Sequence, residues 1–139
     1  MKRKIFVSLG LVIIIVLAVL YSFPEVTNSY YDTHSTIANN IGYLVKNEEV
    51  KMEFTAEKDN LGSISLKIGT FKRTNLTTMD VRIFDDKQQL VMQKSVDLMN
   101  VQDNEYYKIS FDPYMKSRDK KFTIVVTSPD ATTENSVAL

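Results

Sequence analysis

The chain of 139 residues holds 17 basic and 17 acidic side chains and no cysteine. Its first 23 residues carry three of the basic residues and none of the acidic ones, so the remaining 116 combine 14 basic with 17 acidic residues, a net charge of −3. That length suffices for one domain. The lack of cysteine excludes disulfides and thiol or cysteine-zinc sites, and the weakly acidic charge argues against nucleic acid as a partner.

An uncharged run of 19 residues, Ile5–Phe23, lies close to the N-terminus. As a helix this run extends about 28 Å, which is close to the thickness of the hydrocarbon core of a bilayer. The basic flank Lys2–Lys4 favours retention of the N-terminus in the cytoplasm and transfer of the following chain to the outside. We therefore predict a cytoplasmic flank at 1–4 and a single-pass signal-anchor helix at 5–23, which contacts the lipid of the cell membrane, followed by an extracytoplasmic chain.

A cleaved signal peptide is the alternative for this segment, because a basic start and an apolar run occur in both. The apolar region of a signal peptide is usually about 7–15 residues long, and its cleavage site requires small residues. The run here is longer, and its exit at Leu20–Pro24 is bulky. Tyr21 and Phe23 also suit an aromatic belt at the membrane surface. These features favour the uncleaved anchor.

The chain beyond the helix divides into a spacer and a β-rich domain. Residues 24–40 are rich in Ser, Thr and Asn without periodicity and predict a polar spacer; the segment at 41–139 is predicted to be the domain. Val96–Val101 breaks the alternation that marks its strands and is either a loop or a helical turn. Turns are predicted at Asp59–Gly62, Lys72–Thr77 and Asp85–Lys87. Half-buried strands are predicted by alternating apolar and polar residues at Val50–Phe54, Ser63–Ile68, Met79–Phe84, Leu90–Lys94, Tyr106–Phe111 and Phe122–Thr127.

Six short strands without a long amphipathic helix predict an all-β, antiparallel β-sandwich. Several turn and strand motifs carry a resemblance: Asn60–Ile64, Gly69–Asn75, Met79–Asp85, Asp103–Tyr107, Ser110–Pro113 and Ser128–Asp130. This succession resembles a jelly-roll β-sandwich found in bacterial membrane proteins of polysaccharide and cell-envelope biosynthesis, a module similar in architecture to carbohydrate-binding modules. In that module the last strand continues past the position of Leu139, so we expect a short or truncated final strand and an open sheet edge.

The resemblance implies a function in which the domain recognises or positions envelope carbohydrate, with a polysaccharide or a membrane glycosyltransferase as partner. No catalytic domain accompanies the module, so we expect no enzymatic activity and no cofactor. If Tyr107 and Ile109 face inward, Tyr106 faces outward and suits stacking on a sugar ring. Arg73, Asn75 and Asn104 are candidates for hydrogen bonds to the same ligand. Alternatively, Tyr106 covers a turn or packs on a cross-strand neighbour.

Three acidic residues, Asp85, Asp86 and Asp103, are candidate calcium ligands. Calcium requires six to eight oxygen ligands converging from several loops. All three residues also occur where hairpin turns are predicted, and aspartate is favoured in turns because its carboxylate accepts hydrogen bonds from the backbone. Both interpretations remain open from the sequence.

Two other patterns carry little chemistry. His34 is the only histidine and lies in the spacer, where it has no partners for a zinc site or a catalytic triad. Ser117 and Lys120 match the S-x-x-K motif, but its companion motifs are absent from the sequence.

Two further functions remain open. One is a protein-interaction module that docks to a membrane partner through a sheet edge or the transmembrane helix. The other is a glycoside hydrolase, which needs two suitably spaced carboxylates.

Overall fold

The computed structural model describes residues 12–16, 18 and 43–139. Residues 12–16 and 18 are helical. The rest of the predicted anchor at 5–23, together with the flank at 1–4 and the spacer at 24–40, lies outside the described residues. Within the described part of the chain, no helix has both the length and the apolar character that crossing a bilayer requires.

The domain at 43–139 is built from antiparallel β-sheets, which confirms the predicted all-β class. Each of the six predicted runs becomes a strand, and every strand is longer than the run that predicted it. The strands are β1 (Glu49–Thr55), β2 (Leu61–Ile68), β3 (Thr78–Phe84), β4 (Leu90–Asp97), β5 (Glu105–Tyr114) and β6 (Lys121–Thr127).

Two sheets share these strands. The larger sheet has the order β1-β6-β3-β4, and the smaller one pairs β2 with β5. Every pairing is antiparallel. The chain therefore passes from one sheet to the other after β1, β2, β4 and β5, while β3 and β4 are neighbours in one sheet. Residues distant in sequence are brought side by side by these crossings.

Two of the predicted turn and loop segments also have boundaries that differ from the observed ones. The turn predicted at Asp59–Gly62 ends at Asn60, because Leu61 already begins β2. Asn60 adopts a φ of 64°, a left-handed conformation that asparagine tolerates better than most residues. At Val96–Val101, the first two residues still belong to β4, which ends at Asp97 before the chain enters a loop. Of the two alternatives for this segment, the loop is the one observed.

One apolar cluster lies between the two sheets, because alternate residues of every strand face inward. Phe122 at its centre is fully buried and stacks on Phe54 with 5.5 Å between ring centroids, while the ring of Tyr114 meets it edge-on at 5.4 Å. Both strands of the smaller sheet contribute to the same cluster, Ile68 from β2 and Ile109 from β5. The inner faces of the sheets thus form a single core.

The C-terminal residues close one end of the sandwich. The Leu44 amide donates to the Val137 carbonyl at 2.8 Å, and Gly69 exchanges two hydrogen bonds of 2.9 Å with Ala138. Gly69 directly follows β2, so Ala138 lies beside the end of the smaller sheet. The segment 43–48 and the C-terminus are therefore both tied to the body of the domain.

Candidate functional site on the outer face of the two-stranded sheet

The outer face of β2 and β5 carries the residue that the sequence singles out. In the register of this pair, Ser63 lies opposite Ser110, Ser65 opposite Lys108, and Lys67 opposite Tyr106. The alternate positions, among them Ile64 and Ile109, are buried in the core. Side chains alternate across a sheet, so the six outer residues line one polar face.

Tyr106 dominates this face. Its side chain is 74 % exposed, whereas Tyr107, the next residue, faces the core side and is 36 % exposed near the end of the sheet. The predicted outward direction of Tyr106 is therefore observed. Directly opposed residues on antiparallel strands have Cα atoms about 4.5–5.5 Å apart, which places Lys67 beside the tyrosine. Lys108, two positions along β5, lies on the same face.

This arrangement offers one apolar ring surface with cationic donors next to it. The side chains of Ser63, Ser65 and Ser110 are short and polar, so they do not project beyond the ring of Tyr106 on this face. A tyrosine presents a flat apolar ring and a polar hydroxyl, and each lysine provides three N–H donors. The face can therefore stack on a flat, hydroxyl-rich group and donate hydrogen bonds to it.

Asn104 occupies the turn that leads into β5. It has a φ of 62°, and its amide donates to the Ile68 carbonyl at 2.8 Å. The residue before it, Asp103, receives the Thr70 amide at 2.7 Å and the Thr70 hydroxyl at 3.1 Å on Oδ1. Burial by itself raises the pKa of Asp103. Hydrogen bonds from the backbone amides of Thr70, Lys72 and Phe71 and from the Thr70 hydroxyl lower it, and together they outweigh burial. The pKa of Asp103 is therefore below its ordinary value. Asp103 thus joins the turn before β5 to the loop after β2.

Arg73, a predicted ligand contact, anchors the C-terminal segment. Its guanidinium donates to the Thr133 carbonyl at 3.3 Å and to the Ser136 carbonyl at 3.0 Å. It also lies over the ring of Phe71, 5.0 Å from the centroid, and that ring packs against Tyr43 at 4.9 Å. Through these contacts the guanidinium connects the 71–73 loop with the C-terminal segment, and the ring of Phe71 connects the same loop with Tyr43 near the start of the domain.

Asn75, the other candidate from this loop, is fully buried. Its Nδ2 donates to the Thr70 carbonyl at 3.3 Å, and its Oδ1 has no hydrogen-bond partner among the described residues. A fully buried amide offers no surface to a sugar, so the structure gives Asn75 a role in holding the loop. Of the four candidate contacts, Tyr106 and Asn104 are close in sequence on an exposed surface, while Arg73 and Asn75 serve the packing of the neighbouring loop.

The three calcium candidates occupy two separate turns. Asp85 Oδ1 receives the amides of Lys87 and Gln89, each at 2.9 Å, and its Oδ2 receives the Tyr114 hydroxyl at 3.2 Å. The hydrogen bond from Gln89, followed by that from Lys87, lowers the pKa of Asp85 although burial opposes the shift. Asp86 is exposed in the same turn. Residues 43–139 and the described helical residues hold no group of three or more acidic, histidine or cysteine side chains placed to bind a metal.

Ser117 closes a loop and is not arranged as a nucleophile. Its hydroxyl accepts the Leu61 amide at 3.0 Å and donates to the Lys58 carbonyl at 2.8 Å, and the residue is fully buried. Lys120, the last residue of the S-x-x-K match, instead lies over the ring of Tyr114 at 4.9 Å. His34 lies outside the described residues.

Sequence reasoning did not identify Lys67 as a neighbour of Tyr106. Its outward direction follows from the alternation of β2, but its pairing with Tyr106 depends on the register of two strands almost 40 positions apart. The Tyr43–Phe71 pair also went unpredicted, because no local pattern joins these two residues.

Comparisons of the chain with protein-family models, with curated proteins and with solved structures gave no match, so any function must be inferred from the residues themselves.

Proposed function

We propose that the chain is a membrane-anchored, non-catalytic protein whose domain recognises or positions envelope carbohydrate, as an accessory to polysaccharide biosynthesis. The contact surface is the outer face of β2 and β5, with Tyr106 as the stacking residue and Lys67, Lys108 and Asn104 as hydrogen-bonding neighbours. The observation that carries this proposal is the 74 % exposure of Tyr106 on a sheet face that is otherwise polar. An aromatic ring of this size is costly to leave in water, and stacking on a sugar ring would bury it.

The strand order supports a jelly-roll relationship for the domain. A jelly roll is an antiparallel double sheet whose chain crosses repeatedly between its two layers. Four such crossings occur here, and β1, β6 and β3 are neighbours although they are distant in sequence. The predicted anchor at 5–23 and the basic residues at 2–4 support the extracytoplasmic location of this domain.

Titration of the full-length protein in mild detergent with cell-envelope glycans tests the carbohydrate proposal. Removal of the ring in Tyr106→Ala should weaken binding about fivefold to a hundredfold, the loss that corresponds to the roughly 1–3 kcal/mol typical of a nucleic-acid base stacked on an aromatic side chain. Tyr43→Ala provides a matched control, since Tyr43 is another exposed tyrosine but packs on Phe71, in the loop after β2. Absence of binding to every glycan tested, or equal losses in both variants, would contradict the proposal.

The location is tested separately. Protease added to intact cells should degrade the domain at 43–139, while the N-terminal flank remains protected. A domain that stays intact until the cells are lysed would be inconsistent with an extracytoplasmic location. This result does not depend on the identity of any ligand.

A second candidate function is that of a protein-interaction module that docks to a membrane partner. The observation that favours it is the smaller sheet, where β2 and β5 each have one side without a strand partner among the described residues. Such a module would copurify with its partner in a fixed ratio from detergent, whereas a lone monodisperse monomer would speak against it.

A further inference from the structure

The segments between the strands divide between two opposite ends of the sandwich. In the larger sheet β1 begins where β6 ends, and in the smaller one β2 ends where β5 begins. Leu44 pairs with Val137 and Gly69 with Ala138, so these strand ends lie at the same end of the domain. We call it the entry end, because the chain enters the domain there. It consists of the segments 43–48, 69–77, 98–104 and 128–139, and the opposite end consists of the loops 56–60, 85–89 and 115–120.

Large apolar side chains in these segments are exposed mainly at the entry end. Tyr43, Phe71, Leu76 and Met99 are all exposed there, and Leu76 is 72 % exposed. Among the described loops of the opposite end, Met115 is the one large apolar side chain that is exposed.

The exposed apolar residues of the entry end come from neighbouring loops. The Leu98 amide donates to the Thr77 carbonyl at 3.1 Å, which brings the residues next to them, Met99 and Leu76, to the same part of the surface. Phe71 belongs to the same loop as Leu76. These loops therefore form one apolar region at the entry end.

The two ends also differ in charge. Ten of the sixteen residues in the loops of the opposite end are charged, whereas seven of the thirty-four residues at the entry end are. Two of these seven, Lys72 and Arg73, adjoin Phe71, and the loop 69–77 contains no acidic residue. Aromatic and aliphatic side chains accompanied by lysine or arginine are typical of surfaces that lie in the headgroup region of a bilayer.

The loop after β2 holds Phe71 at the surface in a strained backbone conformation. Phe71 and Lys72 have φ values of 56° and 57°, in the left-handed region that bulky residues rarely adopt. The ring of Phe71 packs against Tyr43, and the guanidinium of Arg73 lies over it. Strained backbone persists only where the surrounding structure imposes it, and it is concentrated at functional sites. The fold therefore presents this ring to the outside at a conformational cost.

We propose that the entry end of the domain rests on the surface of the bilayer, with the side chains of Phe71, Leu76 and Met99 inserted among the lipid headgroups. This inference rests on the membrane anchor of the proposed function and goes beyond it by giving the domain an orientation. Interfacial apolar side chains reach about 5–10 Å into the boundary between headgroups and acyl chains. The charges of the entry end nearly cancel, so burial of apolar surface, rather than attraction to anionic lipid, supplies the affinity.

The predicted anchor keeps this surface close to its target. Residues 24–42 connect the anchor at 5–23 with Tyr43, and even fully extended they reach about 65 Å. A surface tethered in this way meets its target at an effective concentration on the order of millimolar. A few apolar side chains that would not bind a membrane by themselves are then sufficient.

Single fluorophores at the two ends of the domain test the orientation. The chain has no cysteine, so Leu76→Cys and Met115→Cys each provide one site for an environment-sensitive dye. The full-length proteins are reconstituted in phosphatidylcholine vesicles with and without lipid that carries a nitroxide quencher at the headgroup. Strands of seven to eight residues separate the two ends by about 20–25 Å. The nitroxide should therefore remove most of the emission of the dye at 76 and little of that at 115.

Equal quenching at both ends, or no quenching at either, would overturn the proposal. A blue shift of the dye at 76 without nitroxide quenching would also overturn it, because a protein surface would then cover the region. Flotation of the vesicles separates this result from the fate of the anchor. Protein that floats with the vesicles but is not quenched refutes the orientation alone, whereas protein that does not float refutes the anchor and the orientation together.

A charge placed in the apolar region provides a second measurement. With the dye at position 99 (Met99→Cys), Leu76→Asp should lower the ratio of docked to undocked molecules about tenfold, because it removes an apolar side chain from the interface. Met115→Asp is the matched control and should leave quenching at position 99 unchanged. Equal quenching in both variants would be inconsistent with docking through the entry end.

Discussion

The buried hydroxyl of Ser117 allows a quantitative test of how the domain is held together. Ser117→Ala removes the acceptor of the buried Leu61 amide and the donor to the Lys58 carbonyl. A buried amide without a partner costs about 1–3 kcal/mol, while a partly buried carbonyl recovers most of its loss from water. A single hydroxyl oxygen occupies less than the roughly 30 Å³ that a water molecule takes up in the liquid, so we expect no solvent hydrogen bond to replace it. We expect the free energy of unfolding to fall by about 2–3 kcal/mol.

Urea unfolding of the full-length protein in detergent, followed by circular dichroism, measures this loss. The midpoint should fall while the slope stays unchanged, because the surface exposed on unfolding is the same. The thermal midpoint should fall on the order of 10 °C for a domain of this size. Ser110→Ala is the matched control, since Ser110 is exposed on the outer face and its loss should cost less than about 0.5 kcal/mol. A Ser117→Ala variant as stable as this control would refute the assignment of the hydroxyl to loop closure.

Two further predictions concern the core and the carboxylates. Phe122→Ala should lower the free energy of unfolding by about 3–5 kcal/mol, because it empties the centre of the core beside Phe54, and urea unfolding would reveal it. The pKa values of Asp85 and Asp103 lie below the ordinary value of 3.8, so their charged forms contribute stability that is fully present above that value and is lost as the pH falls through it toward the lower folded-state pKa. Thermal unfolding between pH 7 and pH 2.5 should show this decline. The double variant Asp85→Asn, Asp103→Asn should depend less on pH, and an unchanged profile would contradict the role of these carboxylates as bound anions.

The alternation of apolar and polar residues was enough to locate all six strands and to orient most of their side chains. It assigned Tyr106 to the outer face and Ile109 to the core, as observed. This succeeds because the side-chain direction in a strand has a period of two residues, so that a short segment contains the whole signal. The turn at Asp85 was located for a similar reason, since its carboxylate accepts the amides of Lys87 and Gln89, which are only a few positions away.

The loops next to the candidate site depended on contacts between distant residues. Asn75 was a candidate ligand contact because its loop is polar, yet it is fully buried. Arg73 reaches the Ser136 carbonyl across 63 positions, and Ser117 reaches Leu61 across 56. No local pattern encodes such pairs, because they form only after the chain has crossed between the sheets.

The sequence by itself thus determined the strand positions, the faces of their side chains and the absence of cysteine chemistry. Only the tertiary structure decided which residues lie next to Tyr106 and which polar groups are buried in the loops. The physical reason is that side-chain alternation is a property of each strand alone, whereas register and edge pairing arise from the strands it meets.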